Sequence, residues 1–308
     1  MRLSIIIPVY NVEAYVGKTL ASVFDATAPT EDFEVIVVND GTKDGSMEVV
    51  RQFAERPNIT IIDQENQGLS AARMNGWAVA RGEYVWFIDS DDYLVEDGVA
   101  KVLDLLAGRP EAQVLMFPII RKDGEDACPD FRVEREMLMA GKSIVKDPNL
   151  PEASVTRYVL KRSLMENPWI FFPKELIHED NYFGIVLLYL TDPVHVMPDP
   201  VYVHIVDRPG SIMNTLTKRS FHDMVAIRGL LDRFMRETLD PSEWPWLRTY
   251  TFRKLLYCFE RVPASGIDKD GLNLWRAWRE AYPESTWKTK VKWLLYCVMP
   301  EQFRRFRS

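Results

Sequence analysis

The chain has 308 residues, a hydrophobic fraction of 47% and a formal net charge of −7. This length and composition predict a large buried core, in one domain or one domain with an appendage, and argue against a disordered chain. The net acidity argues against general nucleic-acid binding. The cysteines Cys128, Cys258 and Cys297 lie far apart without the spacing of a zinc site, which fits a reducing compartment.

Strand and helix patterns alternate over the first hundred residues. Short apolar runs predict strands at residues 3–9, 33–39, 59–63 and 84–88, and amphipathic runs predict helices at residues 13–24, 46–56 and 70–81. Such alternation implies a mostly parallel sheet covered by helices. Because the first strand begins at residue 3, we expect no signal peptide.

The second part of the chain is less regular. Residues 121–153 are polar, and we predict a loop excursion there. A helix is predicted at residues 183–190, short strands at 194–197 and 201–206, and a wholly helical chain after Thr217. No apolar run approaches the ~18 residues that span a bilayer. We therefore expect a soluble or peripheral protein.

Three carboxylates follow the predicted strand at residues 84–88. Asp89, Asp91 and Asp92 would lie at the carboxyl edge of a parallel sheet, where open α/β folds bind ligands. Their mutual repulsion is relieved most simply by a hard divalent cation with oxygen ligands. The alternative is a polar loop whose first Asp caps the next helix.

The second predicted strand also ends in an acid, Asp40, beside Pro8, Tyr10 and Asn11 at the end of the first strand. A carboxylate there can accept hydrogen bonds from a base or a ribose hydroxyl, and Tyr10 offers a stacking face, so a nucleotide would fit. An ordinary Asp-Gly turn explains Asp40 equally well. No G-x-G-x-x-G fingerprint follows either strand, which disfavours a Rossmann dehydrogenase.

The segment from residue 66 to residue 76 opens the next helix. Gly68 permits close backbone approach, Ser70 can cap the helix, and Arg73 places a guanidinium one turn inside it, where a phosphate could be held. Taken alone, an ordinary capped helix with a surface arginine is the better explanation.

Together these motifs resemble the family 2 glycosyltransferases, which have a GT-A fold. The matching segments are SIIIPVYN at residues 4–11, VNDGTKD at 38–44, NQGLSAAR at 66–73 and FIDSDDYL at 87–94. One departure is Met74, where many relatives carry Asn, and Asn75 is a candidate substitute. The resemblance covers about residues 1–213 and implies an α/β fold with a Rossmann-like mixed sheet.

The resemblance also implies roles for individual residues. Asp40 looks like the carboxylate that reads the uracil or ribose of a nucleotide-sugar, with Pro8 and Tyr10 shaping the pocket. Asp89 and Asp91 look like the D-x-D pair, whose second Asp binds Mn²⁺ or Mg²⁺ bridging the diphosphate. The remaining implied contacts to the nucleotide-sugar fall on Asn11, Arg73, Arg208 and Ser211.

The motif His178-Glu179-Asp180 resembles the family's Glu-Asp element, whose Asp is the catalytic base. Asp180 would then take the proton of an acceptor hydroxyl as it displaces the nucleoside diphosphate, with inversion at the anomeric carbon. Acids in the first turn of a helix are the alternative. His204 is a candidate metal ligand, although a half-buried, hydrogen-bonded histidine is the more ordinary interpretation.

We therefore predict a GT-A catalytic domain at residues 1–216, with a nucleotide-sugar-binding half at 1–94 and an acceptor half at 95–216, followed by a helical C-terminal extension at 217–308. The predicted activity is transfer from a nucleotide-sugar, with uridine diphosphate expected, to a saccharide or lipid-linked saccharide in cell-surface polysaccharide synthesis. The alternatives are a haloacid-dehalogenase-like phosphotransferase, which also uses D-x-D after a strand, and a non-catalytic nucleotide-sugar-binding protein.

The end of the chain differs in charge from the rest. Residues 276–308 hold eight Lys or Arg against three Glu, a local +5 that leaves −12 for residues 1–275. Apolar residues at helical spacing from Trp287 to Val298 would suit a helix on an anionic membrane surface, at the cytoplasmic face of the plasma membrane. A helix packed on the catalytic domain with a solvated basic face explains the pattern as well.

Overall fold

The computed structural model describes residues 1–24, 27–147, 149–151, 153–206, 218–261 and 291. Contacts divide the chain into two compact units, Met1–Glu175 with Glu179–Arg208, and Leu176–His178 with Pro209–Ser308. The predicted domain boundary at residue 216 lies outside the described residues and stays a prediction.

The first unit alternates strands and helices. Its strands are β1 (Leu3–Val9), β2 (Phe33–Asn39), β3 (Ile59–Asp63), β4 (Tyr84–Phe87), β5 (Tyr93–Leu94), β6 (Val114–Met116), β7 (Ile119–Asp123), β8 (Asp126–Pro129), β9 (Met137–Met139), β10 (Tyr158–Lys161), β11 (Val194–Val196) and β12 (Tyr202–Ile205). Its α-helices are α1 (Val16–Phe24), α2 (Ser46–Arg51), α3 (Leu69–Val79), α4 (Gly98–Ala107), α5 (Gly141–Lys146) and α6 (Glu179–Leu190). Short 3₁₀ helices span Val155–Arg157 and Arg162–Glu166.

Eight strands form a mixed sheet in the order β3-β2-β1-β4-β10-β6-β11-β9. Strands β1 to β4 pair in parallel, whereas β10 runs antiparallel to both β4 and β6, and β9 runs antiparallel to β11. The apolar strands β1 and β4 are buried along their whole length, as expected for strands covered on both faces. The carboxyl ends of β1, β2, β3 and β4 therefore share one edge of the sheet.

A second, smaller sheet has the order β5-β12-β7-β8 and shows that one prediction was wrong. Residues 121–153 are not an irregular loop, because they include part of β7, all of β8 and β9, and α5. Gly124, at a φ of 56°, turns the β7–β8 hairpin. The hairpin was missed because its strands carry charged residues on exposed faces, which removes the apolar run that indicates a strand.

The first three predicted strands are confirmed, and the helices differ mainly at their ends. The predicted helix at residues 46–56 already ends at Arg51, and the one predicted at 70–81 spans Leu69–Val79, with Gly68 rather than Ser70 at its N-cap. In the second unit, α7 (Lys218–Thr238) and α8 (Trp244–Arg261) are separated by a 3₁₀ turn at Pro241–Glu243. Helix therefore fills most of the described part of this unit.

Among the described residues, none of the helices combines the length and apolar character needed to cross a membrane.

Candidate active site

Three acidic side chains meet where β4 leaves the sheet. Each of Asp89, Asp91 and Asp92 offers a ligand oxygen, and these oxygens lie within 4.8 Å of one another. The Thr19 hydroxyl of α1 lies 2.9 Å from the carbonyl oxygen of Ser90 and 2.6 Å from that of Asp92. The loop that carries the acids is therefore held by the helix beneath it.

Asp92, whose role the sequence left undecided, accepts hydrogen bonds from other groups of the protein. It is 2% exposed, and its carboxylate accepts hydrogen bonds from the Tyr202 hydroxyl at 2.7 Å, His204 Nδ1 at 3.0 Å and the Ile205 amide at 2.9 Å. Both carboxylate oxygens are used in these contacts. Asp92 thus ties β12 to the acidic loop and is poorly placed to bind a ligand directly.

His204 lies beside Asp92 and is not part of the three-carboxylate group. The hydrogen bond to Asp92 raises the pKa of His204 against the opposing effect of burial, and the charges of Asp89 and Asp91 raise it further. A protonated imidazole donates to Asp92 and is a poor metal ligand. This geometry favours the hydrogen-bonded interpretation of His204.

Asp89 and Asp91 fit a divalent cation. Both side chains are half-buried, and two carboxylates completed by phosphate and water oxygens are a usual environment for Mg²⁺ or Mn²⁺. Asp89 is anchored from two sides, since its amide donates to the Tyr202 hydroxyl at 3.3 Å and its Oδ1 accepts from Arg73 at 2.8 Å.

The expected nucleotide-binding residues lie at the neighbouring strand ends. Asp40 is buried, and its carboxylate accepts hydrogen bonds from Gln64 Nε2 and from the amides of Gln67 and Gly68. Three protein donors therefore orient this carboxylate, and about one of its roughly four acceptor sites is left for a ligand. Tyr10 is 45% exposed, which leaves its ring available for stacking.

Pro8 and Asn11 shape the same region. Pro8 is buried in β1 opposite Val38, and Asn11 adopts a left-handed φ of 53° just beyond the strand. Asn11 Oδ1 accepts from the Lys43 amide at 3.2 Å, so this side chain supports the loop after β2.

Sequence reasoning missed Gln64 and did not settle Asn75. The Asn75 amide donates to Gln64 Oε1 at 2.7 Å, and Gln64 Nε2 in turn donates to Asp40 Oδ1 at 2.7 Å. Asn75 therefore acts on the nucleotide region through Gln64. The position of Gln64, directly after the third strand, is the signal that could have identified it.

Arg73 is not the surface residue of an ordinary helix. It is 3% exposed, and its Nη1 lies 2.5 Å from Glu179 Oε1 while its Nη2 bonds Asp89. Although burial opposes the positive charge, Asp89 and Glu179 raise the pKa of Arg73, which stays protonated. Burial raises the pKa of Glu179 in spite of Arg73, and the neighbouring Asp180 adds to this rise.

Asp180 lies at the N-terminal end of α6, immediately after Glu179. Its Oδ2 accepts from the Ser154 amide at 3.2 Å and its Oδ1 accepts from the Asn181 side chain at 3.0 Å. These bonds orient the carboxylate, which is half-buried and so remains accessible. Arg208 and Ser211 lie outside the described residues and stay predictions.

A family model described as glycosyl transferase family 2 matches residues 4–167, more than half of the chain. The chain belongs to this family. The matched residues include Asp40, Arg73 and the acidic group at the end of β4. Nothing in this match supports the phosphotransferase alternative.

Among solved structures, the chain is similar to residues 1–349 of TarS from Staphylococcus aureus in complex with UDP-GlcNAc. The TM-score is 0.65 at 20% identity, and the match covers 91% of this chain and 88% of TarS 1–349. The mannosyltransferase PcManGT of Pyrobaculum calidifontis, solved with GDP-Man and Mn²⁺, matches with a TM-score of 0.58 at 18% identity, over 99% of this chain and 82% of that one. These similarities confirm the predicted GT-A fold.

Among curated proteins, the chain is 28% identical over 222 residues to the uncharacterized glycosyltransferase EpsJ of Bacillus subtilis, covering 68% of this chain and 62% of EpsJ. It is 24% identical over 234 residues to the poly(ribitol-phosphate) β-N-acetylglucosaminyltransferase TarS of Staphylococcus aureus, covering 74% of this chain and 40% of TarS. This chain thus spans less than two thirds of the length of each of these two relatives.

Proposed function

We propose that this chain is an inverting, metal-dependent glycosyltransferase that moves a sugar from a UDP-sugar to a hydroxyl of a saccharide or lipid-linked saccharide in cell-surface polysaccharide synthesis. One observation carries the proposal: the D-x-D pair Asp89 and Asp91 and the Glu179-Asp180 element are joined through a single buried arginine. Donor chemistry and acceptor chemistry are thereby supported at one edge of one sheet.

In the proposed reaction, Asp180 accepts the proton of the acceptor hydroxyl, and the resulting oxygen attacks the anomeric carbon opposite the leaving nucleoside diphosphate. Asp40 and Tyr10 hold the nucleotide, and Asp89 with Asp91 would hold Mn²⁺ or Mg²⁺. When bound, the cation supplies electrostatic stabilisation of the charge that develops on the leaving diphosphate. A single displacement inverts the configuration, and no covalent enzyme intermediate is needed.

The relatives support the choice of donor and product class. TarS of Staphylococcus aureus was solved with UDP-GlcNAc and with UDP, and its name places the sugar on poly(ribitol-phosphate). A Bacillus spizizenii relative is a poly(ribitol-phosphate) β-glucosyltransferase, 26% identical over 223 residues. A uridine nucleotide as the donor and a cell-surface glycan as the product are therefore the choices that these relatives favour.

A thermal-shift panel of UDP-, GDP- and dTDP-sugars, each with and without Mn²⁺, tests the proposal. We expect one nucleoside diphosphate and Mn²⁺ to stabilise the protein jointly by more than their separate effects, because a ligand that binds only the folded state stabilises by mass action. Hydrolysis of the stabilising donor, followed by NMR of the released sugar, would then show inversion. Absence of stabilisation by every nucleotide would refute the assignment.

A further inference from the structure

A buried guanidinium joins two parts of the proposed site that are far apart in the sequence. Arg73 of α3 directs Nη2 to Asp89 at the end of β4 and Nη1 to Glu179 at the start of α6. Its Nε finds no partner among the described residues, so the two Nη groups make the described hydrogen bonds of this side chain. The nucleotide contact expected of Arg73 from the sequence stays a prediction.

The Arg73 guanidinium also packs against a cluster of aromatic rings. Its Cζ lies 5.1 Å from the centroid of the Phe172 ring, which stacks on Phe183 at 4.2 Å and meets Phe87 edge-on at 5.0 Å. Phe87 ends β4 and Phe183 belongs to α6, the two elements that carry the carboxylates. Packing and charge thus fix Arg73 to the same pair of elements.

We propose that Arg73 is a positioning residue that sets the distance between the metal-side carboxylate Asp89 and the base Asp180, acting through Glu179. This inference rests on the proposed function. Asp180 directly follows Glu179, so any movement of Glu179 moves the base as well. Misplacement of a reacting group by 1 Å can cost about 10²-fold in rate, which makes a rigid link between the two carboxylates valuable.

Arginine suits this task and lysine does not. A planar guanidinium offers two Nη groups at a fixed separation, whereas an ammonium is a point charge on a flexible stem. We therefore expect Arg73→Lys to lower kcat by about 10²-fold, while the KM for the donor and the Kd for UDP in the presence of Mn²⁺ change less than about 3-fold. The donor is the UDP-sugar that gives the largest thermal shift.

The measurement separates positioning from simple loss of folded protein. Calorimetric titration with UDP and Mn²⁺ gives the number of binding-competent sites, and kcat is expressed per such site. Arg81→Lys is the matched control, since Arg81 also pairs with a carboxylate, Glu34, away from the sheet edge. We expect unchanged kcat and KM in that variant.

A second pair of variants tests the link from its other end, even if Arg73→Lys does not fold. Glu179→Gln retains an acceptor oxygen for Arg73, and Glu179→Ala removes it. We expect kcat per site to fall on the order of 10-fold in the Gln variant and on the order of 10²-fold in the Ala variant, with the Kd for UDP unchanged in both.

Two results would overturn the inference while leaving the proposed function intact. One is a rise of about 10-fold or more in donor KM and UDP Kd with kcat preserved in Arg73→Lys, which would make Arg73 a diphosphate ligand. The other is equal kcat in Glu179→Gln, Glu179→Ala and the wild type. A wild-type protein that binds no nucleotide with Mn²⁺ refutes the proposed function, and the inference with it.

Discussion

Two charged clusters of the first unit differ in their ratio of acidic to basic side chains. The sheet-edge site contains Asp89, Asp91, Asp92, Glu179 and Asp180, and the pairs seen there involve two basic side chains, Arg73 and His204. The Glu136 cluster contains one carboxylate held by two basic residues, Arg109 and His195.

In the Glu136 cluster, both oxygens of the carboxylate are bonded to basic side chains. Arg109 Nε lies 2.8 Å and His195 Nδ1 lies 2.6 Å from Glu136 Oε1, and Arg109 Nη2 bonds Oε2. The Arg109 hydrogen bond, more than any other effect, lowers the pKa of Glu136 to about 2. Although the cluster borders a cavity of about 770 Å³, its charges are neutralised within the protein.

Among the described residues of the sheet-edge site, acidic side chains outnumber basic ones, and this excess distinguishes it from the Glu136 cluster. Neighbouring carboxylates in excess of basic groups repel one another and provide oxygen ligands for a divalent cation. A cluster with balanced charges stabilises the fold, whereas an acid-rich cluster at the carboxyl edge of parallel strands suits a metal and a diphosphate. Substitutions in either cluster test this difference.

Asp91→Ala has the largest expected effect, because it removes a cation ligand from the acid-rich cluster. We expect the joint stabilisation by Mn²⁺ and UDP to vanish and transfer to fall by at least about 10³-fold, since the cation contributes several kcal/mol to the transition state. Thermal shift and donor turnover measure the two effects. The exposed Asp104 of α4 gives the control, Asp104→Ala, and retained Mn²⁺ stabilisation in Asp91→Ala would contradict the metal role.

Asp180→Asn removes the proposed base and leaves the cation ligands in place. We expect transfer to fall by roughly 10²–10⁴-fold, the usual contribution of general base catalysis, with UDP and Mn²⁺ binding preserved. Calorimetry and single-turnover transfer test the separation. Asp199→Asn, on an exposed loop, is the control, and undiminished transfer in Asp180→Asn would remove Asp180 from this role.

Tyr202→Phe tests the support of the acid-rich cluster. Burial, followed by the charges of Asp92 and Asp89, keeps the pKa of Tyr202 well above its ordinary value, so its hydroxyl donates to Asp92. We expect Mn²⁺ affinity in the presence of UDP to fall on the order of 10-fold, as is usual when a supporting hydrogen bond is lost.

The matched control is Tyr84→Phe, because Tyr84 is also buried and donates to the Ala112 carbonyl oxygen at 2.7 Å. Both variants should lose roughly 1–3 kcal/mol of stability. Only Tyr202→Phe should lose Mn²⁺ affinity, measured by titration calorimetry. Equal affinities in the two variants would show that Tyr202 supports the fold alone.

The sequence was informative where a local rule decides the geometry. Asp40 directly follows β2 and Asp89 lies two residues after the end of β4, and parallel strands place such residues at one edge of the sheet. The position of the acidic group follows from this rule and from the motif order. The mixed sheet could also be anticipated, through the resemblance to a known family.

The sequence was uninformative where the partner is remote. Nothing local to α3 shows that Arg73 is buried, because Glu179 lies 106 positions away along the chain. The contacts of Asp92 with β12 are equally remote, at separations of 110 to 113 positions. Side-chain burial at such sites depends on tertiary packing, which periodicity does not encode.

Glu136→Gln has the smallest expected effect and probes the balanced cluster. Since the pKa of Glu136 is lowered from 4.5 to about 2, its ion pairs add stability that is fully present above pH 4.5 and is lost as the pH falls through about 2. At pH 7 we expect the variant to lose about 1 kcal/mol of unfolding free energy, because these side chains are partly exposed and screened. The difference should shrink toward zero near pH 2, while transfer at pH 7 stays unchanged. Urea titrations from pH 7 to pH 2.5, with the exposed Glu125→Gln as control, measure it, and a difference that does not vary with pH would show that Glu136 acts through packing and not through its charge.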